Sequence, residues 1–211
     1  MIKVIIFDFD GTIADSVNIK TEAFVDLYKH FGKEVSVKVR DYHLLNGGVS
    51  RYEKFKYFHN TFLNIELSKK QIDNMAEVFS NNVMKKVVEA PYIPGAFEFI
   101  SKNYKKFDMF ISTATPFEEI LEILQKKRLQ KYFLNIFGSP SSKEDHIKKI
   151  IFEGNYNKDE IVFIGDSTAD KEASLLANIK FIEVCNEKVM DESIFKINNF
   201  FNFYEKLHRI K

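Results

Sequence analysis

Cysteine occurs once in the 211 residues, at Cys185. A lone thiol excludes an internal disulfide and a cysteine-built zinc site. Its position at the end of the apolar run Phe181-Ile182-Glu183-Val184-Cys185 predicts a buried structural thiol rather than a reactive one. Proline and glycine are scarce, 4 and 8 residues, and no stretch reads as a flexible linker, a repeat or a low-complexity tract. An excess of one charge is missing too, since 31 Lys+Arg face 30 Asp+Glu. That balance counts against a nucleic-acid partner, whose usual footprint is a basic patch or a high pI. No apolar run approaches the ~20 residues of a membrane span. Met1 to Phe7 is too short for a signal peptide and leads straight into acidic residues. The expectation is a cytoplasmic protein, monomer or homodimer, with neither a membrane nor a nucleic-acid partner.

What the chain does have is phenylalanine, 22 residues, within a composition that is 45% hydrophobic and 29% charged. A chain of this length buries roughly 70% of the surface its unfolded form exposes, enough for a core without staples. Short apolar runs of buried-strand length lie at Lys3 to Phe9, Phe107 to Thr113, Ile161 to Gly165 and Lys180 to Cys185, with a weaker one at Tyr132 to Phe137. Amphipathic segments with helical spacing fall between them, at Ala96 to Asn103, Phe117 to Leu129, Lys143 to Phe152 and Thr168 to Ala177. This alternation predicts an α/β fold, a parallel sheet covered by helices on both faces.

One stretch breaks the alternation. Residues 16–90 show helical patterns at Ile19 to Phe31, Ser50 to Phe62 and Ser68 to Val88, and no convincing strand. Ser68 with Gln71 reads as a capping box, and Pro91 and Pro94-Gly95 mark the exit. The expected organisation is a core of residues 1–15 and 91–211 with an all-helical insert at 16–90. The Phe-rich tail, Phe195 to Tyr204, is expected to pack on the core.

Four strand ends carry residues suited to phosphate and metal chemistry. The first is Phe7-Asp8-Phe9-Asp10-Gly11-Thr12. Residues two apart on a strand share a face, so Asp8 and Asp10 can address one site at the carboxyl edge of the sheet, where ligands of open α/β folds bind. Carboxylates this close repel and call for a cation, and magnesium suits an oxygen-only set. The plainer reading is a strand-to-turn junction with two solvated aspartates. The second is Gly165-Asp166-Ser167-Thr168-Ala169-Asp170, either metal ligands or a capped helix N-terminus. The third is Ser112-Thr113-Ala114-Thr115-Pro116, where Thr113 can offer its hydroxyl to a phosphoryl oxygen and Thr115 can cap the next helix ahead of Pro116. The fourth is the polar loop 138–144, which brings Lys143 after a strand, as a counter-charge or a solvated surface lysine.

Taken together, Asp8 to Thr12, Thr113, Lys143 and Gly165-Asp166 with Asp170 resemble, in order and spacing, the four motifs of the haloacid dehalogenase-like superfamily. The similarity spans nearly the whole chain. The helical insert and Pro94-Gly95 resemble the phosphoglycolate phosphatase and β-phosphoglucomutase branch, which implies a Rossmann-like sheet with an inserted helical cap. The resemblance implies a Mg2+-dependent phosphatase acting on a small phosphate ester. Asp8 would be the nucleophile and Asp10 the acid and base. Asp8, Asp10, Asp166 and Asp170 would serve the metal, with Thr113, Lys143 and the amides near Phe9 holding phosphate.

Alternatives within and beyond the superfamily are a phosphosugar mutase, a phosphonate-cleaving enzyme and a non-catalytic phosphate-binding regulator. A mutase of this branch carries a histidine near where Lys20 stands. Phosphonate cleavage needs a cap lysine, and Lys54 and Lys56 read as surface residues. In Gly47-Gly48-Val49-Ser50-Arg51, Arg51 is a candidate to grip a substrate carboxylate. Equally, Ser50 can cap a helix ahead of a solvated arginine. The five histidines are assigned no catalytic role.

Overall fold

The computed structural model describes residues 1–185 and 196–208. Its frame is a six-stranded sheet, parallel at every pairing. The strands are β1 (Val4–Phe7), β2 (Asp108–Pro116), β3 (Asn135–Ser139), β4 (Ile161–Gly165), β5 (Lys180–Val184) and β6 (Lys196–Ile197), in the order β3-β2-β1-β4-β5-β6. The helices are α1 (Val17–Tyr28), α2 (Lys33–Leu45), α3 (Arg51–Tyr57), α4 (Lys69–Glu89), α5 (Ala96–Asn103), α6 (Phe117–Lys126), α7 (Lys143–Gly154), α8 (Thr168–Ala177) and α9 (Phe203–Leu207). This is the Rossmann-like α/β architecture expected from the alternation, with a helical cap inserted after β1. Among the described residues no helix is long and apolar enough to cross a membrane.

The period-two geometry of a strand explains how four apolar residues in a row hold the centre. All of β1 is buried. Val4 and Ile6 face one side, where Ile147, Ile150 and Ala173 of α7 and α8 cover them. Ile5 and Phe7 face the other, against Ile100, Ile120 and Leu124 of α5 and α6. The tail joins that second side, with the Phe200 and Phe203 rings 5.9 and 5.0 Å from Phe99. Phe195, where the expected tail segment begins, lies outside the described residues. Cys185 is half-buried at the end of β5, and its amide donates to the Ile197 carbonyl at 2.8 Å.

The insert contains the three expected helices. Ser68 and Gln71 form the anticipated capping box at the start of α4. α3 runs on into a π-helical turn, Phe58–Leu63, ended by Asn64 in the left-handed region. α2 was not foreseen, for a physical reason. Val35, Val37 and Val39 alternate as in a strand, and of its thirteen residues only Val39 and His43 are buried. Phe24, Phe55, Phe58 and Phe79 form the centre of the insert and belong to the same apolar cluster as the sheet face that carries Ile5 and Phe7. Between α2 and α3, a Cβ on Gly48 would stand 2.6 Å from the Cβ of Ala169 and 2.7 Å from the Ser167 hydroxyl. Glycine there lets the insert rest on the first turn of α8.

Candidate active site

β1 delivers Asp8 to the carboxyl edge between its two neighbours, where the Asp8 amide donates to the Ile164 carbonyl at 2.9 Å. The chain then turns on Gly11, whose φ is 73°. A Cβ on Gly11 would collide with the Asp166 carboxylate, so this glycine is what allows the two motifs to close on one another. Thr12 is fully buried, and its hydroxyl has no partner among the described residues.

Asp8, Asp166 and Asp170 each place one carboxylate oxygen within 4.8 Å of the others. Lys143 enters from the start of α7, donating to Asp8 Oδ2 at 2.9 Å and, in a shorter contact, to Asp170 Oδ1. The other oxygen of Asp170 accepts from the Ser167 amide and hydroxyl, at 3.0 and 2.6 Å, in a capping box. The capping reading holds, with Ser167 as the N-cap of α8 and Asp170 as its capping-box partner, and the same carboxylate also anchors Lys143. Asp8 Oδ1 accepts from the Phe9 amide at 2.7 Å, so that amide serves the acid itself here. Burial pushes the Asp8 carboxyl up to about 6 despite Lys143, with Asp170 and Asp10 adding to the rise. Burial, Asp8 and Asp170 hold the Asp166 carboxyl well above the usual range. Burial works against the Lys143 ammonium, yet Asp170 and Asp8 hold its pKa above the ordinary lysine value.

Asp10 sits in a different environment. Its Oδ1 accepts from the Ser16 hydroxyl at 2.6 Å. Its Oδ2 accepts from the Lys20 ammonium and from the Thr115 hydroxyl, the latter at 3.0 Å. Burial would raise this carboxyl, but Lys20, with Ser16 and Thr115, holds it below the usual range. Thr115 is thus a site residue and not a helix cap. The cap position of α6 falls to Pro116, because β2 runs through Thr115 with an irregularity in its pairing to β3 between Ser112 and Pro116. Thr113 is buried in the same wall, and its hydroxyl accepts from the Thr115 amide at 3.3 Å.

The insert supplies the facing wall of a cavity of about 130 Å3 that Asp8, Asp10, Thr113 and Asp166 line from the sheet side. Ser50 does cap α3, accepting from the Glu53 amide at 3.4 Å, but Arg51 is buried rather than solvated. Its guanidinium donates to both oxygens of Glu119, at 2.7 and 2.6 Å, and to the Ser80 hydroxyl at 2.6 Å. Lys54, one turn along α3, is 1% exposed and lines the cavity. The expectation of a surface role is wrong for Lys54 and holds for Lys56, which is exposed.

A sequence model of the haloacid dehalogenase-like hydrolases matches residues 5–184. The chain belongs to this family. A phosphorylated carbohydrates phosphatase of Thermotoga maritima is 27% identical over 188 residues, covering 85% of this chain and 83% of its own. Among solved structures, a β-phosphoglucomutase from Clostridium difficile superposes with a TM-score of 0.77 at 21% identity, covering 99% of this chain and 98% of its own. A predicted phosphoglycolate phosphatase from Haemophilus somnus gives 0.73 at 15%, covering 97% of each chain. At those identities the structures share the fold with this chain.

The donor set of this haloacid dehalogenase-like hydrolase fits a hard divalent cation. Three clustered carboxylates against the single ammonium of Lys143 leave two negative charges uncompensated among the described residues. Every candidate donor is oxygen. The family motifs located the sheet-side half of the site. Lys20 reads in sequence as the insert position where a mutase carries histidine, Thr115 as a helix cap and Lys54 as a surface lysine. His43 has no assigned role there and Glu119 does not stand out, because a buried polar residue on an amphipathic element looks, in sequence, like a solvated one.

Proposed function

We propose that this hydrolase is a magnesium-dependent phosphatase of small phosphate monoesters, working through an aspartyl-phosphate on Asp8. The observation that carries this reading is the pair of contrasting environments two residues apart. Asp8 stands among like charges beside Lys143, while Asp10 is held by Lys20, Ser16 and Thr115. One strand end thus sets Asp8 against Lys143 and the acidic cluster and holds Asp10 by hydrogen bonds beside it, which suits a nucleophile and a proton carrier sharing a single site.

Asp8, Asp166 and the main-chain carbonyl of Asp10 would hold Mg2+, with Asp170 behind them. Bound there, the ion supplies positive charge to the transferring phosphoryl group. In the first half-reaction an ionised Asp8 oxygen bonds to phosphorus as the ester P–O bond breaks, and Asp10 delivers a proton to the departing oxygen. In the second, Asp10 takes a proton from water as the water oxygen bonds to phosphorus. The bond from Asp8 to phosphorus then breaks, releasing inorganic phosphate and restoring both acids. Lys143, Thr113 and the amides near Phe9 position the phosphoryl oxygens. Residues 16–90 act as the cap that shuts water out of the core formed by 1–15 and 91–211, and Arg51 belongs to the cap wall facing the substrate.

Release of phosphate from p-nitrophenyl phosphate, with and without magnesium, tests the reading in the native chain and in Asp8→Asn. Turnover that needs magnesium and disappears in the variant is the expected result. Full activity in Asp8→Asn overturns the mechanism.

A further inference from the structure

The basic residues around the cavity are not equivalent. Lys20 is paired with Asp10, Arg51 with Glu119, and Lys143 with Asp8 and Asp170. Lys54 has no carboxylate partner among the described residues. Its ammonium lies 2.8 Å from His43 Nδ1 and 3.3 Å from the Gly47 carbonyl, with the Phe24 ring beneath it at 5.5 Å. An ammonium has three donors, so these two acceptors leave one for something else.

The surroundings make that remaining donor consequential. His43 is buried, and burial followed by Lys54 and Lys20 pushes its pKa down to about 3, so it stays neutral and serves as an acceptor. Lys54 is itself pushed down to about 7 by burial and by Lys20. The charged groups facing it are Lys20 from α1, Arg51 from its own helix, and Asp10 and Lys143 from the sheet edge, with only Asp10 favouring its charge. A buried cation whose neighbours are mostly cations is stabilised by an anion brought in from outside. The cavity that supplies such an anion is the one Asp8 and Asp10 line.

We infer that Lys54 receives a second anionic group on the substrate, so that the preferred esters carry a carboxylate or a further phosphate on the leaving group. This deepens the phosphatase reading and rests on it for the identity of the first group. Asp8 and Lys143 take the transferring phosphate at the sheet edge, and Lys54 holds the other end of the molecule from the cap. Lys54 is therefore a specificity-determining residue that senses whether the departing alcohol is charged.

Calorimetric titration of the Asp8→Asn protein with magnesium present tests this without turnover. The probes are 3-phosphoglycerate, a three-carbon bisphosphate and glycerol 3-phosphate, and the native chain is assayed for hydrolysis of the same three. The charged esters are expected to bind at least about tenfold tighter than glycerol 3-phosphate, the scale of one charge-assisted hydrogen bond. Whichever charged ester binds tighter identifies the second group as carboxylate or phosphate. Adding Lys54→Gln is expected to bring the ratio close to one. Lys54→Met, which keeps the stem against Phe24, replaces it if the glutamine variant does not fold. Equal binding of charged and neutral esters overturns the inference, and hydrolysis of both by the native chain then leaves the phosphatase reading standing. A preference that survives in a folded Lys54 variant also overturns it. A preference lost with Lys54, in a chain that hydrolyses none of the three, upholds the inference and removes the phosphatase reading.

Discussion

Arg51 and Glu119 meet through two parallel hydrogen bonds of 2.7 and 2.6 Å, and the pair joins α3 of the insert to α6 of the sheet layer. Both side chains are almost fully buried, and Ser80 of α4 donates to the same carboxylate at 2.6 Å. Burial alone would raise the Glu119 carboxyl, yet Arg51, with Lys20 and Ser80, holds it below the usual range. A planar fork on a carboxylate is the geometry in which a desolvated ion pair repays its burial.

Removing one partner of that pair leaves the other charged and stranded. Glu119→Ala is expected to destabilise the protein by roughly 3–5 kcal/mol in urea unfolding. The double variant Arg51→Met/Glu119→Leu is expected to lose much less. Losses in the two single variants, Arg51→Met and Glu119→Leu, that add up to the loss of the double variant would show that the two residues are not energetically coupled.

Asp8 is held in a state that works against folding. Its carboxyl titrates near 6, above the ordinary carboxylate value, so at neutral pH ionisation penalises the folded chain relative to the unfolded one. Asp8→Asn is therefore expected to stabilise the metal-free protein by on the order of 2 kcal/mol at pH 7. The gain should fade as the pH falls below the usual carboxylate range, where both states are protonated. A thermal melt at pH 7 and pH 3.5 checks this, and a variant less stable at pH 7 contradicts it.

The proposed mechanism needs Asp8 ionised, so kcat/KM is expected to rise with pH through the Asp8 titration. A cation among Asp8, Asp166 and Asp170 favours the ionised form, so more magnesium should move that rising limb to lower pH. Profiles at two magnesium concentrations measure the displacement. A limb that does not move with magnesium argues that Asp8 does not touch the ion.

Lys20 controls the acid at Asp10. Without its ammonium, the burial of Asp10 is opposed only by the hydrogen bonds from Ser16 and Thr115, and the pKa of Asp10 rises. As the proton donor of the proposed first half-reaction, Asp10 sets one limb of the kcat/KM profile. Lys20→Met is therefore expected to move that limb to higher pH, while kcat drops about tenfold or more as Asp10 loses its orientation. The pH profile carries the decision, because a general loss of packing lowers activity without moving the limb.

The legible part of this molecule is the part governed by strict periodicity or by backbone demands. The runs at 161–165 and 168–177 became β4 and α8 with their bounds unchanged, because apolar residues bounded by Gly165 and Ser167 admit few other arrangements. The Ser68 and Gln71 pair announced α4 from two side chains. What stayed hidden depends on who the neighbour is. Lys54 and Lys56 are two residues apart on α3, and only the packing of Phe24, His43 and Gly47 around the first makes it buried while the second is exposed. Thr115 looked like a cap because Pro116 follows it, and it became a ligand to Asp10 because an irregular β2 carries it past the strand's expected end. Strand β6 has two residues, too few for any period to register.

The placement of β1 also dictates the order of assembly. β1 ends up between β2 and β4, its two edges claimed by residues 108–111 and 161–164. On a ribosome, therefore, Asp8 waits beside a bare strand edge until residues 161–164 have emerged. Any nascent chain stopped before β4 exposes hydrogen-bonding groups that another copy can template on. The same long-range closures make folding slow for a chain of this length.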